Sequence, residues 1–247
     1  MRDDQLIEVL RASAVAVRKA LDGLDDWGPA GTRPGQYRSD LAADAAALNV
    51  LTEAGLGVLS EESGLHDPDR DLVAVLDPVD GSTNASRRIP WFATSVCVLD
   101  AEGARAALVV NQATGERFEA VRGGGARRND APTAPTACTS LGTALVGVTS
   151  MPPARFGWRQ VRALGAAALD LCAVASGQLD AYVDCSADAH GPWDYLGGML
   201  VCQEAGASVV DARGRALVLR GPGDRRIPVA AATPALLAEA VAARSGF

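Results

Sequence analysis

Apolar residues recur at steps of three and four through Leu6, Leu10, Ala14, Val17 and Leu21, the stripe of an amphipathic helix over 4–24. A Gly/Pro loop, 28–35, follows. A second helix is expected to take Ser39 or Asp40 as its N-cap, run through Leu48 and Leu51, and stop at Gly55. The period then changes. Three short apolar runs, 57–60, 72–76 and 92–99, read as buried strands. The stretch 106–121 alternates and is broken by Asn111-Gln112-Ala113-Thr114-Gly115, which predicts a β-hairpin. Its exit, Arg122-Gly123-Gly124-Gly125-Ala126, precedes no evident helix and reads as a loop rather than a nucleotide fingerprint.

The segment 131–140, rich in Pro, Thr and Ala, reads as a boundary between an N-terminal half, 1–135, and a C-terminal half, 136–247. Beyond it the pattern predicts strands at 144–148, 181–183, 208–210 and 228–231. Helices are predicted at 165–176 and 193–205, with a last helix starting near Thr233. There is no internal repeat. Strand and helix alternate throughout, so the expected class is α/β, or layered α+β, with sheets packed between helices.

Composition narrows the function. With 48% apolar residues in 247, the chain can build a real core, which excludes a disordered or fibrous protein. Thirty carboxylates against 23 basic residues leave a formal charge of −7. A nucleic-acid partner is therefore not expected, since a phosphate backbone is held by a basic field. The single lysine, Lys19, sits in the first helix and is poorly placed for Schiff-base chemistry. Cys97, Cys138, Cys172, Cys185 and Cys202 are odd in number and scattered, and read as reduced core or loop residues. No apolar run reaches membrane-span length, and Met1-Arg2-Asp3-Asp4 lacks the plan of a signal peptide. The expectation is a cytoplasmic protein with no membrane partner.

The most informative octapeptide is Asp77-Pro78-Val79-Asp80-Gly81-Ser82-Thr83-Asn84, directly after an apolar strand. An Asp at the end of a buried strand is costly unless its charge is compensated. Asp77 and Asp80 can converge on one cation, Gly81 allows close backbone approach, and Ser82-Thr83 offer hydroxyls and open N–H groups to an anion. The same residues also fit ordinary turn chemistry, with Asp as cap and Gly supplying positive φ. Two other clusters favour the site. Ser60-Glu61-Glu62-Ser63-Gly64 places acids at the end of another apolar run, and Trp193-Asp194 opens an apolar helix.

These motifs resemble those of the inositol monophosphatase family of magnesium-dependent, lithium-sensitive phosphatases. The family's D-P-[IVL]-D-G-[TS]-x-N signature matches Asp77 to Asn84 throughout. Its G-E-E-S element resembles Ser60 to Ser63 with Ser for Gly, and its W-D-x-A…E-A-G-G element resembles Trp193 to Ala207, with Leu196 for Ala and Ala207 for the last Gly. Weaker matches lie at Ser39 to Asp44, at Arg122 to Ala126 with Asn129, and at Gly165 to Cys172. The resemblance implies the layered sandwich of the sugar-phosphatase type, a homodimer, and two or three Mg²⁺ ions per site. It makes Glu61, Asp77, Asp80 and Asp194, with the carbonyl of Val79, the metal ligands, and Asp44 the acid completing a weaker position. It gives Glu61 and Ser82 the attacking water, and Gly81, Ser82 and Thr83 the phosphate. The implied reaction is hydrolysis of a small phosphate monoester by metal-activated water, without a covalent phosphoenzyme. Asp77 is thus a catalytic ligand and not a nucleophile.

The resemblance thins in two places. Around 36–44 the family has a longer acidic element and a preceding lysine, whereas here the acids are Asp40 and Asp44 and the nearest base is Arg38. The stretch 184–192 is longer than usual, and it is the part implied to meet the substrate alcohol, together with Gly165 and Ala166. Asp184 is the candidate for gripping substrate hydroxyls, with Asp188 second. Inositol monophosphate or a similar sugar or cyclitol phosphate is the expected substrate. Histidinol phosphate and 3′-phosphoadenosine 5′-phosphate are the alternatives, and a non-catalytic metal-binding regulator is a third reading. Only 4% aromatic residues weakens the nucleotide option. Glu62 reads as a structural partner, His66 and His190 as surface or loop residues, Trp193 as packing, and Arg87-Arg88 and Arg127-Arg128 as solvated faces. Glu204 reads as the end of a helix stopped by Gly206.

Overall fold

The computed structural model describes residues 1–154 and 156–246. Helices α1 (Asp3–Asp22) and α2 (Arg38–Glu53) lead into strands β1 (Gly57–Ser60), β2 (Gly64–His66) and β3 (Val73–Asp80). The short helix α3 (Ser82–Ser86) follows, then β4 (Ala93–Asp100), β5 (Gly103–Asn111), β6 (Arg117–Val121), β7 (Gly125–Arg128) and β8 (Ala131–Pro132). The chain continues through β9 (Leu145–Thr149), β10 (Gln160–Arg162), α4 (Ala167–Ala175), β11 (Ala181–Asp184) and α5 (Pro192–Ala205). It ends with β12 (Ser208–Asp211), β13 (Pro228–Ala231) and α6 (Pro234–Arg244).

Two sheets result, an eight-stranded one in the order β2-β1-β3-β4-β5-β6-β7-β8 and a five-stranded one in the order β10-β9-β11-β13-β12. Side chains alternate across the first sheet, as the pleat requires. Ala74, Leu76, Val96, Val98, Ala106 and Leu108 face the stripe Leu6, Leu10, Ala14, Val17 and Leu21 of α1 and the inner face of α2. Val75, Cys97, Leu99, Ala107 and Val109 face the other way, into a cluster with α4, α5 and the second sheet. The outer face of the second sheet is closed by Leu236 and Ala240 of α6. The layers therefore run helix pair, sheet, helix pair, sheet, helix, which is the expected layered α/β sandwich.

Helix α5 has no polar stripe from Tyr195 to Cys202 because both of its faces are covered by protein. Gly197 and Gly198 permit that depth. A Cβ at Gly197 would meet Ser95 Oγ at 2.5 Å, and one at Gly198 would meet Leu171 Cβ at 2.6 Å.

The expected hairpin is β5 and β6, paired antiparallel from Ala106↔Val121. Its exit differs from the reading as a loop, since Gly125 and Ala126 belong to β7, which pairs with β6. The glycine turn is held from below. Glu204 of α5 accepts hydrogen bonds from the N–H groups of Gly123 and Gly125, both at 2.9 Å, and Gly206 caps the helix with φ +97°. The short edge strands β2, β8 and β10 carry too few apolar residues to be legible. The two sheets take their strands from either side of 133–144, yet the largest buried cluster draws on both sides. None of the five cysteines is paired with another. Among the described residues, no helix is long and apolar enough to cross a membrane.

Candidate active site

Strand β3 carries both acids of the octapeptide. Along a regular strand, residues three apart face opposite sides of the sheet. Here the register against β4 shifts between Asp77, opposite Ser95, and Asp80, opposite Ala93, so three steps on β3 match two on β4. The extra residue is a bulge that returns the two carboxylates to one side. Pro78 sits in the bulge, where its missing N–H costs no ladder bond. Its carbonyl accepts from Thr94 Oγ1 at 2.9 Å, and the Val79 N–H donates to Asp77 Oδ1 at 3.0 Å.

Glu61 arrives beside them through sheet pairing. Strand β1 runs parallel to β3 with Ser60 opposite Leu76, and the Glu61 N–H donates to the Leu76 carbonyl at 3.0 Å. Asp194 comes from the other half of the chain, in the first turn of α5, where its Oδ2 accepts from the Gly191 N–H at 2.6 Å. One carboxylate oxygen each from Glu61, Asp77 and Asp194 lie within 4.8 Å of one another. Asp80 flanks this trio and spends its Oδ2 on the backbone N–H of Ala168, at 2.7 Å.

Burial and mutual repulsion govern the ionisation of the group. Burial, then the charges of Asp194, Glu62, Asp80 and Asp40, push Glu61 up to about 8. Burial, then the charges of Glu61, Asp80, Asp194 and Asp40, raise Asp77 well above the usual carboxylate range. Burial and Asp194 raise Asp80 to about 7. Arg33 pairs with Glu62 and His190 faces Asp194 and Asp80, yet Glu61, Asp77 and Asp80 stay raised, so the group calls for a further cation. The donors are all hard carboxylate or carbonyl oxygens, the set that suits Mg²⁺.

Beyond Asp80 the chain turns through Gly81 at φ +86°, with no room for a side chain. A Cβ there would lie 3.0 Å from the Gly165 carbonyl oxygen and 3.1 Å from that of Trp91. Gly165 and Ala166 therefore pack directly on the Asp80–Gly81 corner. Asn84 clamps the contact by donating to the carbonyls of Trp91 at 2.7 Å and Leu164 at 2.8 Å. Ser82 Oγ donates to the Val79 carbonyl at 2.9 Å, and Thr83 Oγ1 lies 3.3 Å from the Tyr37 hydroxyl.

Four residues singled out in the sequence have partners in the fold that the sequence did not indicate. Asp44 is not in the trio of Glu61, Asp77 and Asp194, and its Oδ1 accepts from the buried Ser60 hydroxyl. Asp40 is pushed up to about 6 by burial, with Glu62 and the Ser82 hydroxyl among its neighbours. Asp40 and Asp44 lie one helical turn apart, so the sequence alone did not separate them. Asp184 is not open to substrate, since it is fully buried and bonded through both oxygens, to the Ser186 N–H at 2.7 Å and to His190 Nδ1 at 2.8 Å. Asp188 is taken up by Arg215, at 2.7 and 3.1 Å, and by Arg213, at 3.0 Å. His190 lies in the loop before α5, as one of the two readings had it, but buried. Burial pulls its imidazole down, but the bond to Asp184 and the charges of Asp194, Asp184 and Asp80 prevail and hold it at about 9.

The remaining residues lie near the site without joining it. Arg33, and not Arg38, is the base at the acidic cluster. It pairs with Glu62 at 2.6 Å, while Arg38 pairs with Asp26 outside. Trp193 packs at the start of α5 under the Arg225 guanidinium, 5.2 Å from the ring centre. His66 Nε2 lies 2.9 Å from Ser63 Oγ, and Arg88 stacks on Trp27 at 4.2 Å. Asp170 in α4 is a buried acid to which the sequence assigned no role.

A family model described as the inositol monophosphatase family matches residues 40–245. The chain is 33% identical over 192 residues to a Nus factor SuhB of Pasteurella multocida, covering 71% of each chain. It is 28% identical over 227 residues to a fructose-1,6-bisphosphatase/inositol-1-monophosphatase of Archaeoglobus fulgidus, covering 88% of each. Among solved structures it is similar to the extragenic suppressor protein suhB from Bartonella henselae. That match has a TM-score of 0.83 and 26% identity over 97% of this chain and 98% of that one.

Proposed function

The chain belongs to the inositol monophosphatase family, a family of metal-dependent phosphatases, and from that premise we propose that it is a Mg²⁺-dependent phosphomonoesterase. Its substrate on this reading is inositol monophosphate or a similar small sugar or cyclitol phosphate. The observation that carries the reading is the convergence of Glu61, Asp77 and Asp194, from three separate segments, to within 4.8 Å. A fold gains nothing from a buried Asp77 pressed against two half-buried, mutually repelling carboxylates unless a cation sits among them. Glu61, Asp77, Asp80 and Asp194, with the Val79 carbonyl, would hold two or three Mg²⁺ ions.

Bound Mg²⁺ would supply the positive charge that acidifies a water molecule and offsets charge on the phosphate and the departing oxygen. Glu61 accepts the proton of the attacking water. Ser82, between the Val79 carbonyl and Asp40, orients that water, and Gly81, Ser82 and Thr83 hold the phosphate through N–H and hydroxyl groups. With Asp184 turned inward, the alcohol side of the substrate falls to the backbone of Gly165 and Ala166. Lithium sensitivity and a homodimer belong to the same proposal and rest on the family resemblance, and a cytoplasmic setting rests on the five unpaired cysteines.

The test is phosphate release with Mg²⁺, with and without lithium. The substrates are inositol monophosphate, a sugar bisphosphate, histidinol phosphate and 3′-phosphoadenosine 5′-phosphate. The expected result is turnover of a sugar or cyclitol phosphate that D77N abolishes without unfolding the protein. Wild-type activity in D77N would overturn the site assignment. A second reading, a regulatory protein with the fold but no turnover, is favoured by the Nus factor name of one relative. It gains if the whole panel is inert while Mg²⁺ still binds.

A further inference from the structure

Between β11 and α5 the chain makes a strap, 185–191, that delivers Asp194 to the acidic cluster. Its two ends are joined by a buried side-chain pair, Asp184 Oδ2 to His190 Nδ1 at 2.8 Å. The other oxygen of Asp184 accepts from the Ser186 N–H at 2.7 Å. Arg244 of α6 donates through Nε to the Asp184 carbonyl at 2.5 Å, and through a second nitrogen to the Ser186 carbonyl at 2.6 Å. At the far end the His190 carbonyl accepts from the Arg226 N–H at 2.9 Å. The next residue, Gly191, donates its N–H to Asp194 Oδ2 at 2.6 Å. Gly191 is also pressed against Trp193, where an added Cβ would meet the indole at 2.5 Å. A continuous series of short contacts thus runs from the end of a core strand, through Asp184 and His190, to one oxygen of Asp194, whose carboxylate also faces Glu61 and Asp77.

We propose that Asp184 and His190 are positioning residues, a buried staple whose task is to fix the Gly191 N–H and so aim the Asp194 carboxylate at the cation site. The proposal rests on the reading of Asp194 as a metal ligand. Groups that orient a ligand govern metal affinity nearly as strongly as the ligands do, because a carboxylate free to rotate must be ordered at the expense of binding. Asp184 lies at the end of β11, and the tip of the strap outside it is tethered through Asp188 to Arg213 and Arg215. His190, bonded to Asp184 and next in the chain to Gly191, therefore sets the position of Gly191 from the strap side, with the Trp193 indole bounding it on the other.

The test is calorimetric titration of the metal-free protein with Mg²⁺, alongside steady-state kinetics at saturating Mg²⁺, for wild type, D184N, H190Q and the double variant D184N/H190Q. Each single variant is expected to weaken Mg²⁺ binding by about 10-fold or more, with the substrate KM within about twofold of wild type. The double variant, which restores a neutral hydrogen bond across the strap, is expected to recover part of that loss. Unchanged Mg²⁺ affinity with only a lowered melting temperature would make the pair purely structural and overturn the proposal. So would a raised KM with normal Mg²⁺ binding, which would make Asp184 a substrate contact. If a single variant does not fold, D184E, which keeps the pair but shifts its reach, decides by the same titration, and wild-type affinity in it overturns the proposal. Failure of the wild-type protein to bind Mg²⁺ would instead remove the reading on which this one stands.

Discussion

The Asp80 carboxylate accepts a hydrogen bond from the Ala168 N–H at 2.7 Å, tying the end of β3 to the first turn of α4. The N-cap position of α4 is Ala166, which has no side chain to offer its open N–H groups. Asp80 supplies from another element the acceptor that a capping residue would supply locally. Its replacement therefore separates two roles. D80N keeps an acceptor oxygen and D80A does not, while both remove the charge, so their difference isolates the cap. Both are expected to lose most activity, and D80A is expected to be less stable than D80N by about 1 kcal/mol. Urea unfolding of the two metal-free variants measures this. Equal midpoints would mean that Asp80 does not cap α4.

Gly81 is held by both conformation and space. Its φ of +86° alone costs a side chain about 1–2 kcal/mol, and a Cβ would sit 3.0 Å from the Gly165 carbonyl oxygen. Gly115, at φ +78° in the hairpin turn with nothing within 4 Å, shares only the first penalty. G115A should lose about 1–2 kcal/mol and keep its activity, whereas G81A should lose more than that and lose turnover with it. Matching denaturation midpoints for the two variants would show that the close approach to Gly165 is dispensable.

The acidic cluster makes stability and metal binding depend on pH in a definite direction. Burial and repulsion hold Glu61 at about 8, Asp80 at about 7 and Asp40 at about 6 in the metal-free fold. The folded protein thus keeps protons that the unfolded chain gives up at about pH 4. Where the native state binds more protons, stability falls as pH rises, so the metal-free protein should lose stability between about pH 5 and 8. His190, held at about 9, acts in the same direction. Mg²⁺ should flatten or reverse the trend and release protons on binding. Calorimetry at pH 7 in two buffers of different ionisation enthalpy counts them, and a count of zero would contradict the raised values.

The sequence disclosed what local chemistry dictates. The α1 stripe, the β5–β6 hairpin and the glycine stop of α5 follow from period and turn residues. Glu61, Asp77 and Asp194 each follow or sit in a recognisable apolar element, so the family motifs were readable. Tertiary direction was not. Asp40 and Asp44 lie on one helical face, and only packing against β1 sends Asp44 to Ser60 and leaves Asp40 beside Ser82. Asp184 and Asp188 sit in a loop with no period, where the partners His190 and Arg215 decide what each carboxylate does. The bulge between Asp77 and Asp80 was equally hidden, because Pro78 signals a turn as readily as a strand irregularity.

Asp170 offers the sharpest separation between charge and shape. It is fully buried in α4, with one oxygen accepting from Trp91 Nε1 at 2.9 Å and the other without a hydrogen-bond partner among the described residues. Burial, and after it the charge of Asp80, raise its carboxyl well above the usual range, against the lowering effect of the Trp91 bond. The folded group therefore holds its proton to a higher pH than the unfolded chain does, and its contribution to stability falls as pH rises above about 4. An amide has the same shape and keeps the oxygen that Trp91 needs, but cannot ionise. D170N should match wild type near pH 4 and exceed it in stability by pH 8, with turnover retained. D170A, which leaves the buried indole N–H unpartnered, should lose about 1–3 kcal/mol at both. Denaturation curves of the three proteins at the two pH values decide it, and a D170N protein less stable than wild type at pH 8 would show that the carboxyl is ionised in place.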